Sequence, residues 1–215
     1  MTLINLQVRR DSVFFLTDTA AIDKKGRLQQ HRQKIGYHPH LNAAVAVTGN
    51  VGQSRDINTV MAHYSSQAEM LENITRHVKH TRIWHPFSRF FHVLIGLIDD
   101  EGRGRAFAVS TAKGEEIKPY TLHPVDDWII QPAIEDERFA DALTSAWLKI
   151  PYDYRSLVQY QRTHPVASAP SAGFIVGGNI ILSRLSKNGM ETSVVERYPD
   201  EIGKPLDGRN VTAPV

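Results

Sequence analysis

Polar and apolar residues alternate with period two at the start of the chain. In Thr2-Leu3-Ile4-Asn5-Leu6-Gln7-Val8, the residues Thr2, Ile4, Leu6 and Val8 share one face of a strand. Ser12 to Asp18 is a second β-rich run, with Phe14, Leu16 and Asp18 on one face. Arg9-Arg10-Asp11 between them predicts a three-residue hairpin connection. That register sets Val8 against Ser12, Leu6 against Phe14, Ile4 against Leu16 and Thr2 against Asp18. Apolar residues then face apolar residues, and the one polar pair, Thr2 with Asp18, lies at the open end.

Further on, Asp23 to Gln33 is polar and predicts an exposed loop. Lys34 to Tyr37 resumes a short strand, and Asn42 to Val47 is a compact strand of small and β-branched residues. Thr48-Gly49-Asn50-Val51-Gly52 predicts a strand-to-helix turn, whose backbone N–H groups suit an anion. Two helices follow by their stripes: Ser54 to Gln67, capped by Ser54, with Ile57, Val60, Met61 and Tyr64, and Ala68 to His80, with Met70, Leu71, Ile74 and Val78. Strands are predicted at Phe91 to Ile98, Arg105 to Thr111, Glu116 to Leu122 and Trp128 to Gln131. Glu135 to Lys149 and Tyr154 to Thr163 predict another helix pair. Gly173 to Leu185 and Glu191 to Tyr198 predict a closing hairpin, and the chain from Gly203 on reads as a loose tail. Strands, two helices, strands, two helices, strands is not the regular βα alternation of a doubly wound fold.

Composition narrows the class. A chain of 215 residues holds one domain or at most two, with 41% apolar and 22% charged residues, as in ordinary globular proteins. A net charge of +2 argues against general nucleic-acid binding. With no cysteine, disulfides and thiolate metal sites are excluded. No signal peptide is visible, and the apolar stretch near Phe90 to Ile98 is too short to span a bilayer, so a cytoplasmic protein without membrane partners is expected. Of the ten histidines, His77 and His80 are three apart on a helix, but no third ligand has motif spacing, so a solvated helix face is the better reading and no metal or cofactor is expected. Arg76, Lys79, Arg82, Trp84, Arg89 and Phe90 interleave basic and aromatic residues as some RNA binders do, although a packed helix end and subunit contact fits them better.

Thr2, Asp18 and Lys34 lie at successive intervals of sixteen residues. Leu16-Thr17-Asp18-Thr19-Ala20, Lys34-Ile35, Val45-Ala46-Val47-Thr48-Gly49, Gly177-Gly178-Asn179-Ile180-Ile181-Leu182 and Lys187-Asn188-Gly189 surround or follow them. In these motifs the chain resembles the proteasome-type β-subunits of the N-terminal nucleophile (Ntn) hydrolases, and in its short segment before Thr2 the bacterial members. The resemblance covers nearly the whole chain as one domain, and its specific motifs lie in the first fifty residues. It implies an α+β fold, the four-layer αββα sandwich. It further implies a threonine protease acting on polypeptides in a homo-oligomeric, self-compartmentalising ring, with an ATP-dependent unfoldase as a possible partner. Thr2 would be the nucleophile, Asp18 and Lys34 its charged partners, and the Gly49 or Thr48 N–H the oxyanion donor. Ala21, Ala46 and Asn50 would line a small substrate pocket.

The chemistry explains the residue types. A threonine hydroxyl must hand its proton to a base. An N-terminal amine, with a pKa of about 7.7–8.0 when unperturbed, can be that base near neutral pH. A neighbouring lysine ammonium favours the neutral amine, and an aspartate keeps that lysine charged and oriented. Met1 must be removed first, because a peptide nitrogen is not a base. The chain departs from the family in its supporting residues. The family has Ser-Gly before its third helix, where this chain has Ile130-Gln131-Pro132-Ala133. The family's Asp-x-x-Ser before the Gly-Gly strand falls on Gly173 and Val176. The alternative is therefore a structural subunit that keeps the fold and assembly without turnover.

Overall fold

A computed structural model describes residues 3–85, 91–112, 118–131, 154–164 and 174–208. It holds two five-stranded antiparallel sheets, a two-stranded hairpin and, among the described residues, three α-helices. The predicted helix Glu135 to Lys149 lies outside the described residues.

The first sheet has the order β10-β1-β2-β11-β12, from β1 (Ile4–Arg9), β2 (Ser12–Asp18), β10 (Trp128–Gln131), β11 (Asn179–Ser186) and β12 (Gly189–Arg197). The second has the order β5-β6-β7-β8-β9, from β5 (Ile35–His38), β6 (Ala43–Thr48), β7 (His92–Ile98), β8 (Gly104–Ser110) and β9 (His123–Val125). Ile4, Leu6, Val13 and Phe15 of the first sheet form one buried cluster with Ile35, Ala44, Ala46, Leu94 and Ala108 of the second, so the sheets share a core. The small residues Ala44 and Ala46 of β6 lie inside this shared core.

The opposite face of the second sheet, through Val45, Val47, Val93, Ile95 and Val109, packs on α1 (Val51–Met61) and α2 (Gln67–Trp84). Ile57, Met61, Met70, Ile74 and Val78 fill that interface and are fully buried. The cap of α1 is Asn50 rather than Ser54: its side chain accepts from the Gln53 N–H, and Gln53 returns the bond to the Asn50 N–H, a capping box. Helix α2 starts at the Ser66 cap, and its Gln67 Nε2 donates to the carbonyls of Leu41 (2.7 Å) and Ile98 (2.8 Å), tying the helix to the turn before β6 and to the end of β7. On the far face of the first sheet, Val158 of α3 (Tyr154–Thr163) joins Leu3, Leu16, Ile175, Ile180 and Tyr198.

Several expectations are corrected. The β1–β2 connection is Arg10-Asp11, and the register is shifted by one: Ile4 faces Thr17, Leu6 faces Phe15 and Val8 faces Val13. Phe15 takes the intersheet position, while Phe14 lies on the other face, its ring beneath the Arg184 guanidinium. Both faces of β2 are covered, so alternation could not say which set of residues points to which core. Gln29 to His31, expected in an exposed loop, belong to β4 (Leu28–His31), paired with β3 (Ala20–Ile22). Only Leu28 of β4 is buried, so polarity hid the strand. The described part of Glu116 to Leu122 is not a strand; β9 begins at His123. The residues from Gly203 to Gly208 are not loose: Leu206 is buried against Ala20 and Leu28, and the Gly203 and Leu206 N–H groups donate to the Leu28 and Gly26 carbonyls. No helix of the described residues is long and apolar enough to cross a membrane.

Candidate active site

Asp18 ends β2, the central strand of the first sheet, and is completely buried. On its β11 side it is registered against Ile180. Lys34 directly precedes β5, the edge strand of the second sheet, and is 8% exposed. The packing of the two sheets therefore brings together residues sixteen positions apart, and the Lys34 Nζ donates to Asp18 Oδ1 in a short ion pair.

Backbone N–H groups also donate to Asp18. The Leu3 N–H donates to Oδ1 at 3.0 Å and the Gly177 N–H to Oδ2 at 3.2 Å. Three segments thus converge on one carboxylate: the start of β1, the entry to β5 and the approach to β11. Such bonds to a charged acceptor are stronger than neutral ones and compensate for its lost hydration. Burial pushes the Lys34 ammonium below its usual range; the Asp18 carboxylate opposes that push, and the Arg32 charge adds to it. A lysine held this way is a compact positive centre in a weakly screened environment, suited to polarise a neighbouring amine or hydroxyl.

Thr2 lies outside the described residues. Its expected opposition to Asp18 therefore lies outside the described residues too; in the shifted register the neighbouring Leu3 N–H donates to Asp18. Thr48 and Gly49 stand at the exit of β6, where Gly49 is exposed beside the Asn50 cap. The Thr48 hydroxyl accepts from the His92 N–H at 2.9 Å, joining β6 to β7. The three residues expected to line a pocket differ in place. Ala21 is half-buried on β3, Asn50 is exposed with its side chain in the capping box, and Ala46 is fully buried in the intersheet core. Ala46 therefore supplies strand, not exposed side chain.

A second buried charge pair escaped the sequence reading. Arg162 in the last turn of α3 is completely buried and binds Asp200, which is 5% exposed. The Asp200 Oδ2 accepts from the Gly178 N–H at 2.7 Å. The signal was present: Arg162 follows Val158 by four residues, on the inward stripe of an amphipathic helix, where an arginine requires a buried acceptor.

Of the other candidates, His77 Nδ1 shares a hydrogen bond with the Tyr64 hydroxyl at 3.0 Å, and the two rings stack. Among the described residues no group of three or more His, Cys, Asp or Glu gathers as metal ligands. On α2, Ile83 and Trp84 are 64% and 79% exposed; Arg89 and Phe90 lie outside the described residues.

No protein-family model and no curated protein matches the chain. Among solved structures, the chain is similar to Anbu (ancestral beta-subunit) from Yersinia bercovieri, with a TM-score of 0.62 over 92% of this chain and 88% of that one. The chain shares that fold. Sequence identity over that alignment is 10%, so the likeness is one of fold alone and leaves the chemistry to the residues.

Proposed function

We propose that this protein is a threonine-nucleophile amide hydrolase of the proteasome β-subunit type, built as a four-layer αββα sandwich and active on polypeptides in a homo-oligomeric ring. One observation carries the reading. The buried Asp18–Lys34 pair also binds the N–H of Leu3, the peptide unit directly after Thr2, and so gathers the proposed partners at the start of β1. The proteasome-like fold supports it.

In this reading removal of Met1 frees the Thr2 amine. The Lys34 charge favours the neutral amine, which takes the proton of the Thr2 hydroxyl as oxygen attacks the substrate carbonyl. The oxyanion falls to the Gly49 or Thr48 N–H, a donor whose loss costs about 3–4 kcal/mol in enzymes that use one. The protonated amine then passes its proton to the leaving nitrogen, and water hydrolyses the ester along the same route. Asp18 holds Lys34 in place and charged. Ala21 and Asn50 flank the substrate, with Ala46 in the strand beneath.

A second reading, a structural subunit without turnover, is favoured by Val176. This residue stands where the resembled family has a serine, and it is fully buried among apolar neighbours. Intact mass and an epoxyketone probe separate the two. The hydrolase reading expects a protein lacking Met1 that is labelled on Thr2, with labelling abolished in Thr2→Ala. Retention of Met1, or an unlabelled mature protein, refutes it and leaves the structural subunit.

A further inference from the structure

The Arg162–Asp200 pair is built around Val176 to Gly178, the segment whose Gly177 N–H reaches Asp18. Arg162 Nη1 donates to the Val176 carbonyl at 2.8 Å and to Asp200 Oδ2 at 3.1 Å. Its Nη2 donates to Asp200 Oδ1 at 2.9 Å and to the Asp207 carbonyl at 3.0 Å. The guanidinium lies 3.8 Å from the Tyr198 ring centre, and the Tyr198 N–H donates to the Gly178 carbonyl at 2.9 Å. Asp200 in turn accepts from Gly178. The backbone is thus held at Val176 and at Gly178, on both sides of the Gly177 N–H that reaches Asp18. A side chain at Gly177 would begin 2.7 Å from Asp200 Oδ2, so the chain approaches the pair as closely as glycine allows.

We propose that Arg162 and Asp200 are positioning residues of the active site: they clamp Val176 to Gly178 so that the Gly177 N–H holds the Asp18 carboxylate against Lys34. A buried ion pair is weak evidence for stability on its own, because an apolar pair of similar volume often serves as well. Here the pair occupies two polar groups of the segment beside Asp18, which an apolar pair cannot do. The clamp supplies, from the far side of the sheet, the support that Gly173 and Val176 cannot give with their side chains. Its connection to catalysis rests on the Thr2 reading; its effect on Asp18 and Lys34 does not.

The test uses the full chain freed of Met1 and the variant Arg162→Met/Asp200→Leu, which removes both charges at similar volume. Three quantities are read: the melting transition, the NMR titration of the Lys34 side chain, and kinact and KI for an epoxyketone. Loosening Asp18 weakens its opposition to burial at Lys34, so Lys34 should titrate lower than in wild type. Labelling should slow about tenfold or more through kinact, with KI unmoved. A variant that melts cooperatively with unchanged Lys34 titration and unchanged kinact overturns the proposal. Should this variant fail to fold, Asp200→Asn decides. It keeps an oxygen for the Gly178 N–H but not the charge, so a smaller shift in the same direction supports the clamp and none overturns it. A wild type that is never labelled refutes the Thr2 reading, and the Lys34 titration then judges the clamp by itself.

Discussion

Replacing Lys34 by Met tests whether the site is a desolvated charge pair. Asp18 is 0% and Lys34 8% exposed, so water screens neither charge well. Opposite charges about 4 Å apart attract by about 4 kcal/mol at an effective dielectric constant of 20, and this attraction offsets a desolvation penalty of several kcal/mol per ion. Lys34→Met keeps the volume and removes the attraction, while the Leu3 and Gly177 N–H groups still donate to the Asp18 carboxylate. Removing one partner of a buried pair costs about 3–5 kcal/mol, and the N–H bonds that Asp18 retains place this site at the lower end. Asp18→Asn/Lys34→Met removes both charges and keeps one carbonyl oxygen for one of the two N–H groups. Its loss should be about 1–3 kcal/mol, less than that of the single variant. Urea unfolding of the full chain, with linear extrapolation, measures both. There is also a pH signature. Because the folded Lys34 pKa lies below the ordinary 10.5, the unfolded chain binds more protons in the window between the two values. Wild-type stability relative to Lys34→Met should therefore rise as pH increases through that window. A Lys34→Met loss under about 1 kcal/mol, or a double variant less stable than the single one, would refute the reasoning that the pair is held in a dry site.

Two further outcomes follow from the described geometry. Gly178 has φ +71°, and a Cβ there would sit 2.5 Å from His31 Nδ1 and 2.6 Å from Thr19 Oγ1, so Gly178→Ala should cost about 1–3 kcal/mol in urea unfolding. It should also disturb the Asn179 N–H bond to Thr19 Oγ1, visible as faster amide exchange at Asn179. Tyr64 is 5% exposed and burial pushes its hydroxyl up to about 12 from 10.0. The unfolded chain then loses this proton first, so stability present below pH 10 falls as pH rises towards 12. The effect is of order 2 kcal/mol, and Tyr64→Phe should remove that part of the alkaline loss when the two are titrated side by side.

Local pattern reached far into this fold. Helix α3 runs over the predicted residues, because its apolar stripe needed no distant information. The strand β7 and its partner β8 begin within one residue of expectation, because apolar runs bounded by Asp99 to Gly102 leave little choice. The register of β1 and β2 was different. Each strand is covered on both faces, so Phe14 and Phe15 were equally good inward residues, and only the demand of the second sheet for Phe15 and Val13 decided between them. The hairpin β3–β4 was hidden for a related reason: β4 buries one residue, Leu28, and part of its cover, Leu206, is far away in sequence.

The site divides along the same line. Asp18, Lys34 and their spacing were legible in the sequence, because strand ends and the family-like motifs around them are local properties. Tertiary structure alone decided that the two are buried against each other, that Leu3 and Gly177 complete the carboxylate's bonds, and that Arg162 and Asp200 hold the segment carrying Gly177. The physical reason is burial. A charge read in sequence is assumed to be in water, where it needs no partner. Closing the sheets and helices over Asp18 and Arg162 removes that water, and each charge must then be matched by groups that the folded chain brings from elsewhere.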